Sequence, residues 1–239
     1  MSLSSSRFTE ELRAKAGEQW NRVVQHRFTK ELASGTIDKH GVLKRYLVQD
    51  HRFLDSFVVL LASIVAHLPH LKDRIPGCQF LALITGPENT YFERSFETLG
   101  ISAEERARIP DAEVTAKFCN LMRSAAASGN LEEMLAVIVV CEWSYLSWGQ
   151  AVLEDGVICR KDFVTCEWVD LHSGPGFEGV IEYLRSLLDR EGDRLKSLLD
   201  DPETKGSATQ KLKACEQRFL EAVQLEEDFF ENAYSNDDE

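Results

Sequence analysis

Proline and glycine are scarce in this chain, with 6 Pro and 14 Gly among 239 residues, so little stands in the way of long helices. Basic clusters are missing as well. The formal net charge is -13, and no group of Lys or Arg gathers that could neutralise several phosphates, which excludes nucleic acid as a partner. An acidic surface of this kind mainly keeps a protein soluble. The six cysteines, Cys78, Cys119, Cys141, Cys159, Cys166 and Cys215, form no C-x-x-C pair. Neither a zinc site nor a disulfide framework is therefore expected, and a reducing, cytoplasmic setting fits them best. No stretch reaches the uncharged length that spans a bilayer, and Met1–Arg7 lacks the basic start and apolar run of an export signal, so no membrane association is expected.

Several catalytic signatures are absent too. Repeated Glu-x-x-His pairs would mark a di-iron bundle, a glycine-rich loop a nucleotide site, Gly-x-Ser-x-Gly a serine hydrolase and His-Glu-x-x-His a zinc protease; the chain has none of them. His26 and His51 are lone helical histidines, which are more often hydrogen-bonded core or surface groups than haem ligands. No metal and no cofactor are expected.

What is present is the material of a helical core. Hydrophobic residues at 44% and charged residues at 28% place the chain among globular proteins, away from disorder. Phe8, Leu12, Trp20, Val23, Val24 and Phe28 recur at helical spacing and predict one long helix ending near Gly35. A second run covers about Lys39 to His67, with Leu43, Tyr46, Leu47, Phe53, Leu54, Phe57, Val58 and Leu61 forming a wide stripe, before Pro69 and Pro76 break the chain. Shorter patterns follow at Gln79–Ile84 and Glu88–Leu99, the latter opened by Pro87 as a first-turn proline, and then at Glu113–Ser128. Leu131–Glu154 is apolar on nearly every side and should be central. After an irregular region, 155–179, around a short piece Asp162–Leu171, helices at Phe177–Asp193 and Glu203–Tyr234 complete the chain, leaving a frayed acidic tail at 235–239. Period-two alternation and internal repeats are absent, so the expected class is an all-α antiparallel bundle in one domain.

Three acids stand where acids are costly. Asp50 has Leu43, Tyr46, Phe53, Leu54 and Phe57 three, four or seven positions away, so it projects from the middle of an apolar stripe. Glu226 is flanked in the same way by Phe219, Ala222, Val223, Phe229, Phe230 and Ala233, and Glu142 lies on the all-apolar helix with Leu135, Ile138 and Tyr145 on its face. A buried, unpaired carboxylate costs several kcal/mol or takes up a proton. For any one acid, a buried Arg, Lys or backbone amide is the ordinary explanation. Three on separate helices are explained together by a shared polar pocket inside the bundle. Cys141, Glu142 and Tyr145 share one arc of about 100° of their helix, which offers a nucleophile, an acid or base, and a hydrogen-bond donor to one small volume. Cys141 alone would be read as a small buried hydrophobe.

Taken in order, several segments resemble the TenA family of aminopyrimidine hydrolases, also known as thiaminase II. They are Trp20 with His26-Arg27-Phe28, Gly35-Thr36, Tyr46-Leu47-Val48-Gln49-Asp50, Phe96-Glu97 with Leu99-Gly100-Ile101-Ser102, Cys141-x-Trp143-x-Tyr145, Trp168 to Gly174, and Glu226-x-x-Phe229-Phe230. The likeness spans nearly the whole chain. It implies a haem-oxygenase-like antiparallel helical bundle without haem, and hydrolysis of an aminopyrimidine to hydroxymethylpyrimidine in thiamin salvage, with thiamin cleavage as a further reaction. It also implies a homo-oligomer, tetramer or dimer, and a small-molecule pyrimidine as partner.

By position, the resemblance implies that Asp50 holds the pyrimidine amino and ring nitrogens, Glu226 protonates a ring nitrogen, Cys141 is the nucleophile and Tyr145 supports it. Tyr46, Phe53 and His172 would complete the binding site. Phe53 and His172 stand where many members have tyrosines, and Arg27 replaces a proline. The plant-type branch lacks the cysteine and has a glutamate where Glu142 stands, so this chain carries both groups. Two routes are therefore open, attack by Cys141 or by water that Glu142 activates. A formylamino-pyrimidine substrate and a non-catalytic pyrimidine-binding protein are the alternative readings.

Overall fold

The computed structural model describes residues 6–235. Its regular structure is helical, and among the described residues there is no strand, in keeping with the missing period-two pattern. The helices are α1 (Phe8–Ala16), α2 (Glu18–Val24), α3 (Arg27–Ser34), α4 (Lys44–His67), α5 (Leu71–Leu83) and α6 (Asn89–Leu99). They continue with α7 (Ala103–Arg108), α8 (Glu113–Ser128), α9 (Leu131–Glu154), α10 (Phe163–Leu171), α11 (Gly174–Ser197) and α12 (Pro202–Asn232). Two wide π-turns, Lys39–Leu43 and Ile84–Glu88, lead into α4 and α6. The expected tail lies, apart from Ser235, outside the described residues.

The single first helix predicted from periodicity is three helices. Gly17 takes φ 56°, a left-handed conformation that ends α1. His26 then turns to ψ 146° and caps α3, its Nδ1 accepting the Phe28 N–H at 3.1 Å. Because α1 packs on α11 and α12, α2 on α9 and α12, and α3 on α9 and α10, the same apolar set is buried around a bend instead of along a rod.

Two prolines behave differently from expectation. Pro76 lies inside α5, where its missing N–H leaves only the carbonyl of the exposed Lys72 without a helical donor, and water can serve it there. Pro87 does not open a helix either. It sits within the π-turn that joins α5 to α6 into one continuous rod, which contains rather than follows the expected break. The short α7 was not legible as a pattern because it buries no residue; Ser102 caps it by accepting the Glu105 N–H at 3.1 Å.

The all-apolar helix α9 is central, as its pattern predicts, and packs against α2, α4, α8, α11 and α12. It is long and apolar enough to cross a membrane, yet 83% of that stretch is buried inside the protein, which identifies a core helix. Gly149 on α9 has a packing reason. A Cβ there would overlap the His172 carbonyl oxygen and sit 3.1 Å from its carbon, so the corner between α10 and α11 can close on α9 only over a glycine.

Gly149→Ala should therefore cost about 1–3 kcal/mol, the usual penalty of overpacking, and lower the melting temperature by several degrees. A thermal melt equal to wild type would show that this corner tolerates displacement.

Candidate functional site

A cavity opens in the bundle between α4, the π-turn before α6, α8, α9, α10 and α12, with an empty volume of about 430 Å³ counting its mouth. Its walls are Asp50, Phe53, Leu54, Phe57, Ile84, Glu88, Phe118, Cys141, Glu142, Tyr145, Trp168, His172, Glu226 and Phe229. The structure thus brings Asp50, Glu142, Glu226, Cys141, Tyr145, Phe53 and His172 to one place. Tyr46 is different: it does not line the cavity. It lies 1% exposed behind the wall, its hydroxyl 2.7 Å from that of Tyr145 and turned also to Asp50, so it props two wall residues from below.

Among the described residues, no Lys or Arg is part of the walls. Asp50 is buried, and its Oδ2 has no hydrogen-bond partner. Burial raises its pKa to about 7, although the Tyr46 hydroxyl pulls it back. Burial, then the neighbouring Glu226 and Asp50 charges, push Glu142 well above the carboxylate range. Glu226 is raised by burial and by Asp50, while the Cys141 thiol, donating to its carboxyl, pulls it down. The same pairing works the other way on sulfur: burial, Glu226 and Glu142 hold the Cys141 thiol well above its ordinary value. At neutral pH the thiol therefore keeps its proton, and Glu226 is its adjacent acceptor.

Two other buried acids make the contrast. Glu132 and Glu133, in the first turn of α9, meet Lys211 at 3.4 Å and Arg218 at 3.1 Å from α12. Structural carboxylates in this protein come with a cation, as buried charges generally do. Those around the cavity do not.

His172 is buried, and its Nδ1 donates to the Trp168 carbonyl at 2.8 Å. Burial lowers its pKa to about 4, so the ring is neutral and its Nε2 is left as an acceptor. Its ring lies 4.9 Å from that of Tyr145 and 4.3 Å from that of Trp168. Phe53, the other departure from a tyrosine, meets Phe118 edge-on at 5.0 Å. A flat heterocycle would find aromatic faces here and hydrogen-bonding acids at their edges. Among the described residues no group of three or more His, Cys, Asp or Glu is arranged to hold a metal ion.

Gln49 and Asp50 divide their work. The Gln49 side chain donates to the Pro110 carbonyl at 2.9 Å and accepts from the Ala112 N–H at 3.0 Å and the Thr115 hydroxyl at 2.7 Å, which ties α4 to the start of α8. Asp50 is thereby set in register over the cavity. Sequence reasoning missed Glu88, a fourth acid in the wall, half-buried and raised well above its usual range by burial, Glu142 and Asp50. The signal was there: Glu88 stands three and four positions before Tyr91 and Phe92, on the apolar face of α6, as Asp50 does on α4. Taking Pro87 as a helix start made it an ordinary first-turn acid.

These shifts carry signs for stability. Asp50 holds its proton to about pH 7 when folded but loses it near pH 4 when unfolded, so its contribution is complete below pH 4 and is lost as pH rises through 7. His172 runs the opposite way, its contribution being lost as pH falls from 6.5 to 4. The unfolding free energy of wild type minus that of Asp50→Asn should therefore fall by on the order of 4 kcal/mol between pH 4 and pH 8. A difference that stays flat over this range, measured by urea titration, would mean that Asp50 has an unseen cationic partner.

Known proteins resemble this chain over most of its length. An aminopyrimidine aminohydrolase of Halalkalibacterium halodurans is 25% identical over 229 residues, covering 95% of this chain and 96% of its own. One from Bacillus subtilis is 26% identical over 74% of this chain and 73% of its own. Among solved structures, a TenA homologue from Pyrococcus furiosus superposes with a TM-score of 0.76 at 22% identity, covering 95% of this chain and all of its own. A structure from Silicibacter sp. TM1040, described as a TenA family transcription regulator, also reaches 0.76, at 20% identity and with 94% and 95% coverage. These place the chain in the all-helical, haem-oxygenase-like fold that the resemblance implies. The TENA/THI-4/PQQC family model matches residues 13–236, and the chain belongs to that family.

Proposed function

We propose that this protein is a hydrolase of aminopyrimidines in thiamin salvage, replacing the amine of an aminomethyl substituent by hydroxyl and releasing ammonia. The observation that carries the reading is the set of buried carboxyls without a cation, closed around a cysteine whose thiol pairs with one of them. An aminopyrimidine supplies what they lack: N–H donors for Asp50, and a ring nitrogen for the protonated Glu226. When Glu226 gives its proton to the ring, the ring becomes a better electrophile and Glu226 becomes the carboxylate that accepts the Cys141 proton as sulfur attacks. The amine leaves as NH3 on a proton that it already carries as ammonium or takes from Glu142, and water then displaces sulfur, which recovers its proton from Glu226, to complete the exchange of NH3 for OH. Tyr145, propped from behind by Tyr46, holds the edge of the site, and His172 and Phe53 its faces.

The names of relatives support this chemistry, since three are aminopyrimidine aminohydrolases. The name transcription regulator on one fold neighbour finds no support in this sequence, whose formal net charge is -13 and which gathers no Lys or Arg cluster. Six unpaired cysteines accord with a cytoplasmic setting. The glutamate beside the cysteine favours a second substrate class, formylamino-pyrimidines, which relative rates on the two substrates would separate.

Wild type should release ammonia and hydroxymethylpyrimidine from aminopyrimidine, and Glu226→Gln should not. Cys141→Ala should lose a hundredfold or more in kcat/KM, and Glu142→Gln about a hundredfold with the covalent intermediate still trappable by mass spectrometry. Full activity in Cys141→Ala would reject the thiol and leave water activated by Glu142. A homodimer or homotetramer is proposed from the resemblance and from exposed Val59, Leu71, Ile75 and Leu83 on α4 and α5. Light scattering should then give a multiple of 27.1 kDa, and a monomer mass at micromolar concentration would overturn it.

A further inference from the structure

The cavity does not end at its own walls. A second, mostly apolar groove of about 690 Å³ adjoins it, lined by Phe80, Leu83, Pro87, Leu171 and Phe177 among others, and sharing Ile84 and Glu88 with the inner chamber. Both shared residues come from the π-turn, whose first and last positions stand one turn apart and so face the same way. Glu88 is therefore the carboxyl on the boundary that the chamber and the groove share, here called the doorway. It makes no hydrogen bond or ion pair with any described residue, unlike Asp170 on the groove wall, which Arg160 holds at 2.6 Å.

We propose that Glu88 selects the leaving group: a positively charged amine on the substrate is held at this doorway, and a neutral substituent of similar size is not. The proposal rests on the hydrolase reading and adds a role that the resemblance does not assign. With the ring among Asp50, Glu142 and Glu226, the one further acid of the wall that a substituent can meet is Glu88, on the side that faces the groove. An alkyl amine is protonated near neutral pH, as the lysine side chain is, and cannot leave water for an apolar chamber without an anion to meet it. Glu88 supplies that anion at the boundary. Burial, then Glu142 and Asp50, oppose its ionisation, so a bound ammonium offsets that cost, whereas a hydroxyl or formylamino group does not. The same carboxyl would escort ammonium outward after the reaction.

The test compares binding of aminomethyl- and hydroxymethyl-aminopyrimidine, the second being the neutral reference, by tryptophan fluorescence in Cys141→Ala and in Cys141→Ala/Glu88→Gln. Glu88→Gln keeps the shape of the side chain, and Glu88→Asp serves as the conservative control. The preference for the amine over the alcohol should drop tenfold or more in the Gln variant and recover in part in Asp. A drop smaller than tenfold, or equal weakening of both ligands, overturns the proposal. Ammonia release by wild type with an unchanged preference would sink the doorway role alone. A lost preference in a protein that releases no ammonia would sink the hydrolase reading and leave the doorway standing.

Discussion

The rest of the structure depends on one uncomfortable arrangement: carboxyl groups held out of water with no cation beside them. Taking a carboxylate into an apolar interior is opposed by several kcal/mol, and a protein ordinarily answers with a partner or a proton. Here Glu132 and Glu133 receive partners from α12. Around the cavity burial instead raises Asp50, Glu142 and Glu226, so that Glu142 and Glu226 keep a proton and Asp50 keeps its own up to about pH 7. The cost is balanced by a core dense enough to carry it, with Trp148, Trp168, Tyr46, Phe57 and Phe230 all fully buried.

That arrangement turns poor acids into useful ones. A carboxyl that stays protonated at neutral pH can donate, and Asp50, close to half-ionised there, can accept. Sulfur and carboxyl are adjacent at Cys141 and Glu226, so a proton leaving one has somewhere to go. Gln49 and Gly149 contribute without touching the cavity. The first sets the register of α4 through three hydrogen bonds, and the second lets the His172 corner close. Tyr46 belongs with them as a support.

Much of this was legible in the chain. Helices α4, α8, α9, α10 and α12 follow their apolar stripes to within a few residues, because each buries one continuous face or, for α9, all faces. Acids in those stripes announced themselves for the same reason. Breaks were harder to read. Gly17 and His26 bend a pattern whose periodicity continues past them, and Pro76 and Pro87 sit in helices that their surroundings keep intact. Periodicity reports which face is buried, and it is blind to where the rod turns.

The amino-acid order by itself determined the class of the fold and the identity of the costly acids, since helical spacing and side-chain chemistry are local properties. Only the tertiary structure decided that the three acids meet, that Glu88 joins them through a π-turn, that Tyr46 stands behind the wall, and that no cation reaches them. Those outcomes depend on which helices are neighbours, and neighbours far apart in the chain are selected by packing the whole core at once.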